Sequence, residues 1–304
     1  MPLTTKTAHV TADQSGRVDR VVQSLTSLSH RKMAGLFDHG CVTINGRPCD
    51  HAGKRVKPGD RVEVCYDPHQ GYREKKKKWA DRAFSIVYED SDIIVVNKSA
   101  NVLTVATDAG EFTTLASRVS HYLKQTSRQR EALVAHRLDR GVSGLLVFAK
   151  SPAMLKSLQQ QFKQRKPERL YIAIVAGIVK PAAGTFRSYL ETTDNLDQRS
   201  TPDDDRGQLA ITHYRVQREL PDTTVVEVRL ETGRRNQIRV HFADHGHPVL
   251  GDPRYRKKQA MHDCWTQKRV ALHAISLGLD HPATGERMYF ESELPKSMQR
   301  FIGK

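Results

Sequence analysis

No stretch of this 304-residue chain reaches the roughly 18 consecutive apolar residues that a membrane-spanning helix needs. The first residues, MPLTTKTAHVTADQSG, also lack the apolar heart of an export signal. Cysteine is scarce. Cys41, Cys49, Cys65 and Cys264 are not spaced as paired metal ligands, and three of them fall in the first 65 residues. They read as reduced structural thiols of a cytoplasmic protein, and the motifs supply no ligand cluster that would call for a metal or redox cofactor. Acidic residues are in short supply: 34 Asp and Glu stand against 49 Lys and Arg, a formal net charge of +15. Such a balance predicts a polyanionic partner, most often a nucleic acid. A hydrophobic content of 38% still permits a sizeable core.

The pattern divides the chain into a flexible polar leader (1–16), a compact unit (17–68), a basic linker (69–82) and a larger domain (83–304). In the compact unit Val18, Val21, Val22, Leu25 and Leu28 recur at helical spacing. A second helix over 30–39, capped by Ser29, would bury Met33, Leu36 and Phe37 and end at Gly40. A strand at Val42-Thr43-Ile44, an Asn45-Gly46 tight turn and an alternating strand from Arg61 to Val64 follow. The linker carries four consecutive cations, Lys75 to Lys78. It reads as a solvated tether that could also brush a phosphate backbone.

The larger domain is organised around AHRLDRGVSGLLVFAKS, residues 135–151. Leu145 to Ala149 form an apolar run that reads as a buried strand, and Gly141 and Gly144 permit a tight turn before it. Asp139 is thereby placed at the rim of a sheet between Arg137 and Arg140, which would favour its charged form. Taken alone, an Asp in such a turn is most often a cap or half of an ion pair. Strands are expected at 85–88 and 93–96, helices at 113–125 and from Pro152 to Phe162, and a strand placing Tyr171, Ala173 and Val175 on one face. Residues 192–208 read as an acidic surface loop. Antiparallel strands follow at 210–216 and 224–230. Then come a glycine turn and a basic helix, Thr232 to His241, with Arg235 and Arg239 on one face as a phosphate-binding surface. The tail closes with strands at 272–274 and 288–290.

Three separated strings carry a resemblance. HRLDRGVSGLLVFAK is similar to the HRLDxxTSGLLxxAK signature of RluA-type pseudouridine synthases, with Val142 where that family has Thr. The segment from Arg169 to Gly177 resembles its KxYxAxVxG string. TGRRNQIRVH, continued by GHPVLGDPRY, resembles TGRxHQIRxHxxxxGHPxxGDxxY, with Asn236 for His. The opening hairpin matches too, with Ser99 for Pro and Asn101 for Gly. Separately, GCVTING and KPGD in the compact unit resemble the small RNA-binding domain named after ribosomal protein S-four.

The resemblance implies an α+β protein. A mixed, mainly antiparallel sheet domain of pseudouridine synthase type would follow a small N-terminal α/β RNA-binding domain. It implies that Asp139 is the catalytic aspartate, that Tyr171 faces the target base, and that Arg239 pairs with Asp139. Arg137 would fill the space of a flipped base. Arg140, Arg234 and Gln237 are expected at the RNA, with Arg234 and Gln237 also organising the site. In the small domain Arg31, Lys32, Arg47, Lys54 and Arg55 would bind phosphates. Asn236 offers an amide in place of imidazole, so a tuned function is expected. The expected partner is RNA, ribosomal RNA before transfer RNA, acted on by a cytoplasmic monomer with no cofactor and no metal. Two other classes stand beside this reading. An RNA-binding assembly factor on the same scaffold would have no need to keep Asp139, Tyr171 and Arg239. A carboxylate hydrolase would want a second paired acid, which the motifs lack.

Overall fold

A computed structural model of the chain describes residues 3–26, 28, 30–49, 51–70, 72, 81–107, 110, 113–126, 131–193 and 197–303; the side chains of 30–32 and 34 lie outside that description. Two compact units result, residues 1–78 and 79–304. Among the described residues no helix is long and apolar enough to cross a membrane.

The first unit runs β1 (Thr4–His9), β2 (Gly16–Arg17), α1 (Val18–Thr26), α2 (His30–Asp38), β3 (Val42–Ile44), β4 (Arg47–Pro48), β5 (Arg55–Val56) and β6 (Arg61–Tyr66). Strands β1, β6, β3 and β4 form one sheet in that order, and β2 pairs with β5. Val18, Val21 and Val22 of α1 and Met33, Leu36 and Phe37 of α2 are buried together with Val62, Val64 and Tyr66 of β6. Asn45 and Gly46 both take positive φ, 52° and 74°, the geometry a two-residue hairpin turn demands. The expected flexible leader is corrected here. Residues 4–9 pair antiparallel with β6, from Thr4 opposite Tyr66 to His9 opposite Arg61. Without β1, β6 would present an unpaired ladder on that side; a strand with one wet face can cover it while staying almost wholly polar. Ser29 and the lysines at 75–78 lie outside the described residues.

The second unit comprises β7 (Phe84–Glu89), β8 (Ile93–Lys98), α3 (Leu115–Thr126), β9 (Leu133–Val134), β10 (Ser143–Ala149), α4 (Pro152–Lys163), β11 (Glu168–Ala176), β12 (Ala183–Thr192), β13 (Gln198–Thr201), β14 (Gln208–Glu219), β15 (Thr223–Leu230), α5 (Gln237–Asp244), β16 (Leu272–Asp280), β17 (Arg287–Glu291) and α6 (Lys296–Ile302). They build one sheet in the order β13-β12-β14-β15-β11-β16-β10-β8-β7, with β17 added on β16 and β9 on β10. Its pairings are antiparallel except β10 with β16, which run parallel. All of β10 is buried, because both faces of the sheet are covered there. Leu146 and Phe148 join Ile94 and Val96 against Leu115, Val119 and Leu123 of α3. Leu145 and Val147 join Ile93 and Val95 against Leu158 of α4. Covered on both faces, the strand reads as a continuous apolar run rather than an alternating one. Ser151 caps α4 by accepting from the Met154 N–H, with Pro152 in the first turn.

Two further expectations change. The stretch 192–208 is not all loop. Residues 198–201 form β13, which pairs with β12 and leaves Asp203 to Asp205 in the turn. The basic helix is also not a phosphate-facing surface. Helix α5 begins at Gln237, so Arg235 precedes it, and Gln237 to Ala243 are all buried. Its apolar residues belong to the core, and Arg239 is carried inward with them.

Candidate active site

Asp139 sits in the turn before β10, closed by the Val142 N–H donating to its carbonyl at 3.1 Å. Thr104 braces that turn. Its hydroxyl donates to the Leu138 carbonyl at 2.7 Å and accepts from the Leu138 N–H at 3.2 Å. From below, Lys98 donates to the carbonyls of Ser99, Val102 and Arg140 at 3.0, 2.8 and 3.4 Å. Burial pushes the Lys98 ammonium down to about 7, while the charge of Asp139 pulls the other way. Asn101 adopts the left-handed conformation, φ 66°, that glycine would otherwise supply. Its N–H donates to the Arg140 carbonyl at 2.6 Å, so the departures at Ser99 and Asn101 leave the loop tied to the Asp139 turn.

Asp139 meets Arg239, one hundred residues further along, with Nη1 to Oδ2 at 3.3 Å. Arg137 and Arg140 flank it in sequence but are exposed, and among the described residues its ion-pair partner is Arg239. The guanidinium of Arg239 is first anchored elsewhere. Nε and Nη2 donate to the two oxygens of Asp252 at 2.6 and 2.8 Å, and the Asp252 side chain is 0% exposed. Nη1 is left for Asp139 and for the Asn236 amide oxygen, at 2.8 Å. The Tyr255 ring packs under the guanidinium, 5.1 Å from Cζ, and its hydroxyl accepts from the Asn236 amide at 2.9 Å. Asn236 therefore spends its side chain on Arg239 and Tyr255, and α5 starts without a side-chain cap. Burial lowers the pKa of Arg239, but the bonds and charge of Asp252, then of Asp139, outweigh it; the net shift is upward and keeps the cation.

A cavity of about 590 Å³ opens over this pair. Val142, Tyr171 and Leu272 line it with Asp139 and Arg239, while Arg137 and Arg234 are further lining residues. Tyr171 is buried on β11, and burial pushes its phenol up, opposed by the charge of Arg169. It is a neutral group at neutral pH. His136 stacks on Phe162, with ring centroids 4.6 Å apart, and is pushed down to about 3 by burial and by Arg169. Its Nε2 accepts from the Val147 N–H at 3.2 Å. The position of Val142, buried in the apolar wall, needs no hydroxyl.

Gln237 does not reach outward. It is 2% exposed. Its Oε1 accepts from the Thr232 hydroxyl and the Arg234 N–H, and its Nε2 donates to the Ile211 carbonyl and the Thr212 hydroxyl. With every donor and acceptor engaged, it shapes the turn that carries Arg234 and is corrected from an RNA contact to a support. Arg140 is exposed and does not line the cavity. In the first unit Arg47, Lys54 and Arg55 are exposed; the side chains of Arg31 and Lys32 lie outside the described residues. Asp252, Tyr255, Lys98 and Arg169 complete the site and were not singled out from sequence. The signal for Asp252 and Tyr255 was present in the GDPRY string. Asp90, Asp92 and His281 also converge within 4.8 Å of one another. The Asp90 carboxylate is already engaged by the Asp92 and Ile93 N–H groups, Tyr88 and His281.

A sheet domain that sets an aspartate–arginine pair in a cavity large enough for a nucleotide suits an enzyme that encloses the reacting part of its substrate. The RNA pseudouridylate synthase family model matches residues 92–244, and the S4 domain model matches residues 16–62. The chain is 32% identical over 294 residues to the ribosomal large subunit pseudouridine synthase D of Zymomonas mobilis subsp. mobilis, covering 93% of this chain and 92% of that one. It is 33% identical over 310 residues to the protein of the same name from Haemophilus influenzae, covering 97% and 93%. A solved structure of human RNA pseudouridylate synthase domain containing 4 superimposes with a TM-score of 0.60 at 22% identity, covering 72% of this chain and 91% of that one, a likeness of fold. This chain belongs to the RNA pseudouridylate synthase family and is a pseudouridine synthase with an N-terminal S4 domain.

Proposed function

We propose that this protein converts specific uridines of ribosomal RNA to pseudouridine, with Asp139 as the reacting carboxylate. The observation that carries the proposal is the Arg239–Asp139 contact at the floor of the cavity that Tyr171 lines. Arg239, already locked by Asp252, keeps Asp139 aimed with a cation that cannot titrate away. The target nucleotide leaves its stack to enter, at a cost of a few kcal/mol. Arg137 at the mouth occupies the space the base vacates. Asp139 then attacks C1′ of the ribose or takes the C2′ proton. In either case the bond from C1′ to N1 breaks, the uracil turns, and C5 bonds to C1′ as the Asp139–C1′ bond breaks in the first route or Asp139 returns the proton to C2′ in the second. The C5 proton departs and N1 gains one, so the change is an isomerisation. Tyr171, neutral and buried, presents its ring to the base and excludes water. Arg140 and Arg234, with Arg47, Lys54 and Arg55 of the first unit, supply phosphate contacts. Ribosomal RNA is favoured by the names of the relatives from Zymomonas and Haemophilus. The protein acts in the cytoplasm as a monomer.

Pseudouridine mapping of total RNA, with and without the gene, tests this. A uridine site should lose its signal in the deletion strain and regain it with wild type but not with Asp139→Asn, whose RNA affinity should survive. A site restored by Asp139→Asn would remove the carboxylate from the reaction. A site found only in transfer RNA would overturn the ribosomal assignment.

A further inference from the structure

Alternation along β11 sets Arg169 on the same side of the strand as Tyr171, and both line the Asp139 cavity. Of the other cations there, Arg137 and Lys163 are exposed, and the remaining three are engaged. Arg239 is held by Asp252, Asn236 and Asp139. Arg234 donates from Nε to the Leu209 carbonyl, and Arg165 pairs with Glu231. The Arg169 side chain makes no hydrogen bond and no ion pair among the described residues, and its Nε is buried without an acceptor. Its guanidinium lies between the Phe162 ring, with Cζ 5.6 Å from the centroid, and Gly233, where a Cβ would collide with Nη1. Gly233 is thus the residue that leaves room for it. A buried donor on a cation is costly when it has no acceptor. Here the cavity is where an acceptor would come from.

The reaction supplies one. When the bond from C1′ to N1 breaks, its electron pair leaves with the base, and the uracil becomes an anion with charge on N1, O2 and O4. This holds whether Asp139 forms a bond to C1′ or removes the C2′ proton. Arg239 is poorly placed to take that charge, because four of its five N–H donors are bonded to Asp252, Asp139 and Asn236. We propose that Arg169 receives the detached uracil, its N–H groups bonding a carbonyl oxygen of the anion until C5 has attached to C1′. The proposal rests on the pseudouridylation reading above. Its physical basis is a preorganised cation placed where charge develops, and already desolvated.

The test uses the full-length protein, wild type, Arg169→Gln and Arg169→Lys. The substrate is the RNA fragment identified by mapping, transcribed with uridine or with 5-fluorouridine. Disappearance of the N-linked nucleoside is read in nuclease digests under single turnover, and RNA affinity by filter binding. Arg169→Gln should lose about a hundredfold or more in saturating rate, with RNA affinity within about threefold of wild type, and Arg169→Lys should recover part of it. Fluorine at C5 spreads the charge of the leaving anion, so the deficit of both variants should shrink at least about tenfold on 5-fluorouridine. Equal deficits on both bases would assign Arg169 to packing. Lost affinity with an intact saturating rate would assign it to a phosphate. Should Arg169→Gln fail to fold, the Arg169→Lys ratio between the two bases decides alone. If wild type converts neither base, the pseudouridylation reading itself falls, and this inference with it.

Discussion

Replacing Asp252 by Asn tests how Arg239 is held. The two side chains are 9% and 0% exposed, joined by two charge-assisted bonds of 2.6 and 2.8 Å. Removing one charge from a buried pair costs roughly 3–5 kcal/mol, because the remaining charge stays out of water. Asn keeps one carbonyl oxygen, which can still accept the Arg254 and Tyr255 N–H groups that now donate to Oδ1. The loss should therefore sit near the lower bound, about 3 kcal/mol. In a unit of this size each kcal/mol moves the midpoint by roughly 2–4 °C, so a fall of about 6–12 °C is expected in a thermal melt. The guanidinium also loses its fixed point and leans on Asp139, which is 20% exposed. A reacting group displaced by about 1 Å can lose about a hundredfold in rate, the size of the single-turnover deficit expected here. RNA affinity should stay within about threefold, since Asp252 is out of reach of any ligand. An unchanged midpoint together with an unchanged rate would refute the anchoring role and leave Asp139 and Asn236 as sufficient.

The remaining predictions concern charge, RNA and packing. Lys98 titrates near 7 in the folded chain against 10.5 as a free side chain. Below the lower value it is protonated in both states; between the two the unfolded chain holds more proton, so stability rises with pH by up to about 1.4 kcal/mol per unit. Urea midpoints for wild type and Lys98→Met between these limits should show that slope only in wild type, and parallel curves would reject the shift. Replacing Arg47, Lys54 and Arg55 together by Ala should reduce the slope of log affinity against log salt by about 2–3, and an unchanged slope would show that they touch no phosphate. Gly144 takes φ 121°, and a Cβ there would strike the backbone of Ala274 across the parallel β10–β16 pair. Gly144→Ala should cost about 3 kcal/mol or more in chemical denaturation; a cost within about 0.5 kcal/mol would mean the two strands can part freely.

Local signals settled much of the second unit. Two-faced burial forced apolar residues at every position from Leu145 to Ala149, so the strand was legible without its neighbours. Helix α4 announced itself by Pro152 and the spacing of Leu155, Leu158 and Phe162, and in the first unit the positive φ of Asn45 and Gly46 followed from the dipeptide itself. Periodicity was silent about β1, because a polar strand completing a sheet edge has no apolar stripe to reveal it. It misled at 235–239, where two arginines at helical spacing are separated by the helix start.

The residue types of the site were likewise in the sequence, in strings whose resemblance named Asp139, Tyr171 and Arg239. Which charge faces which was not. Adjacent arginines made Arg137 and Arg140 the obvious neighbours of Asp139, yet the strand that follows turns them to the surface. Tertiary packing instead brought Arg239 across one hundred residues and secured it on a carboxylate thirteen residues beyond it. It also left the buried Nε of Arg169 without an acceptor beside the engaged Arg239. Sequence by itself determined the strands, helices and chemical inventory, because backbone preference and burial act over a few residues. Only the tertiary structure decided which donors were already spent and which stayed available, because hydrogen-bond saturation is a property of neighbours in space.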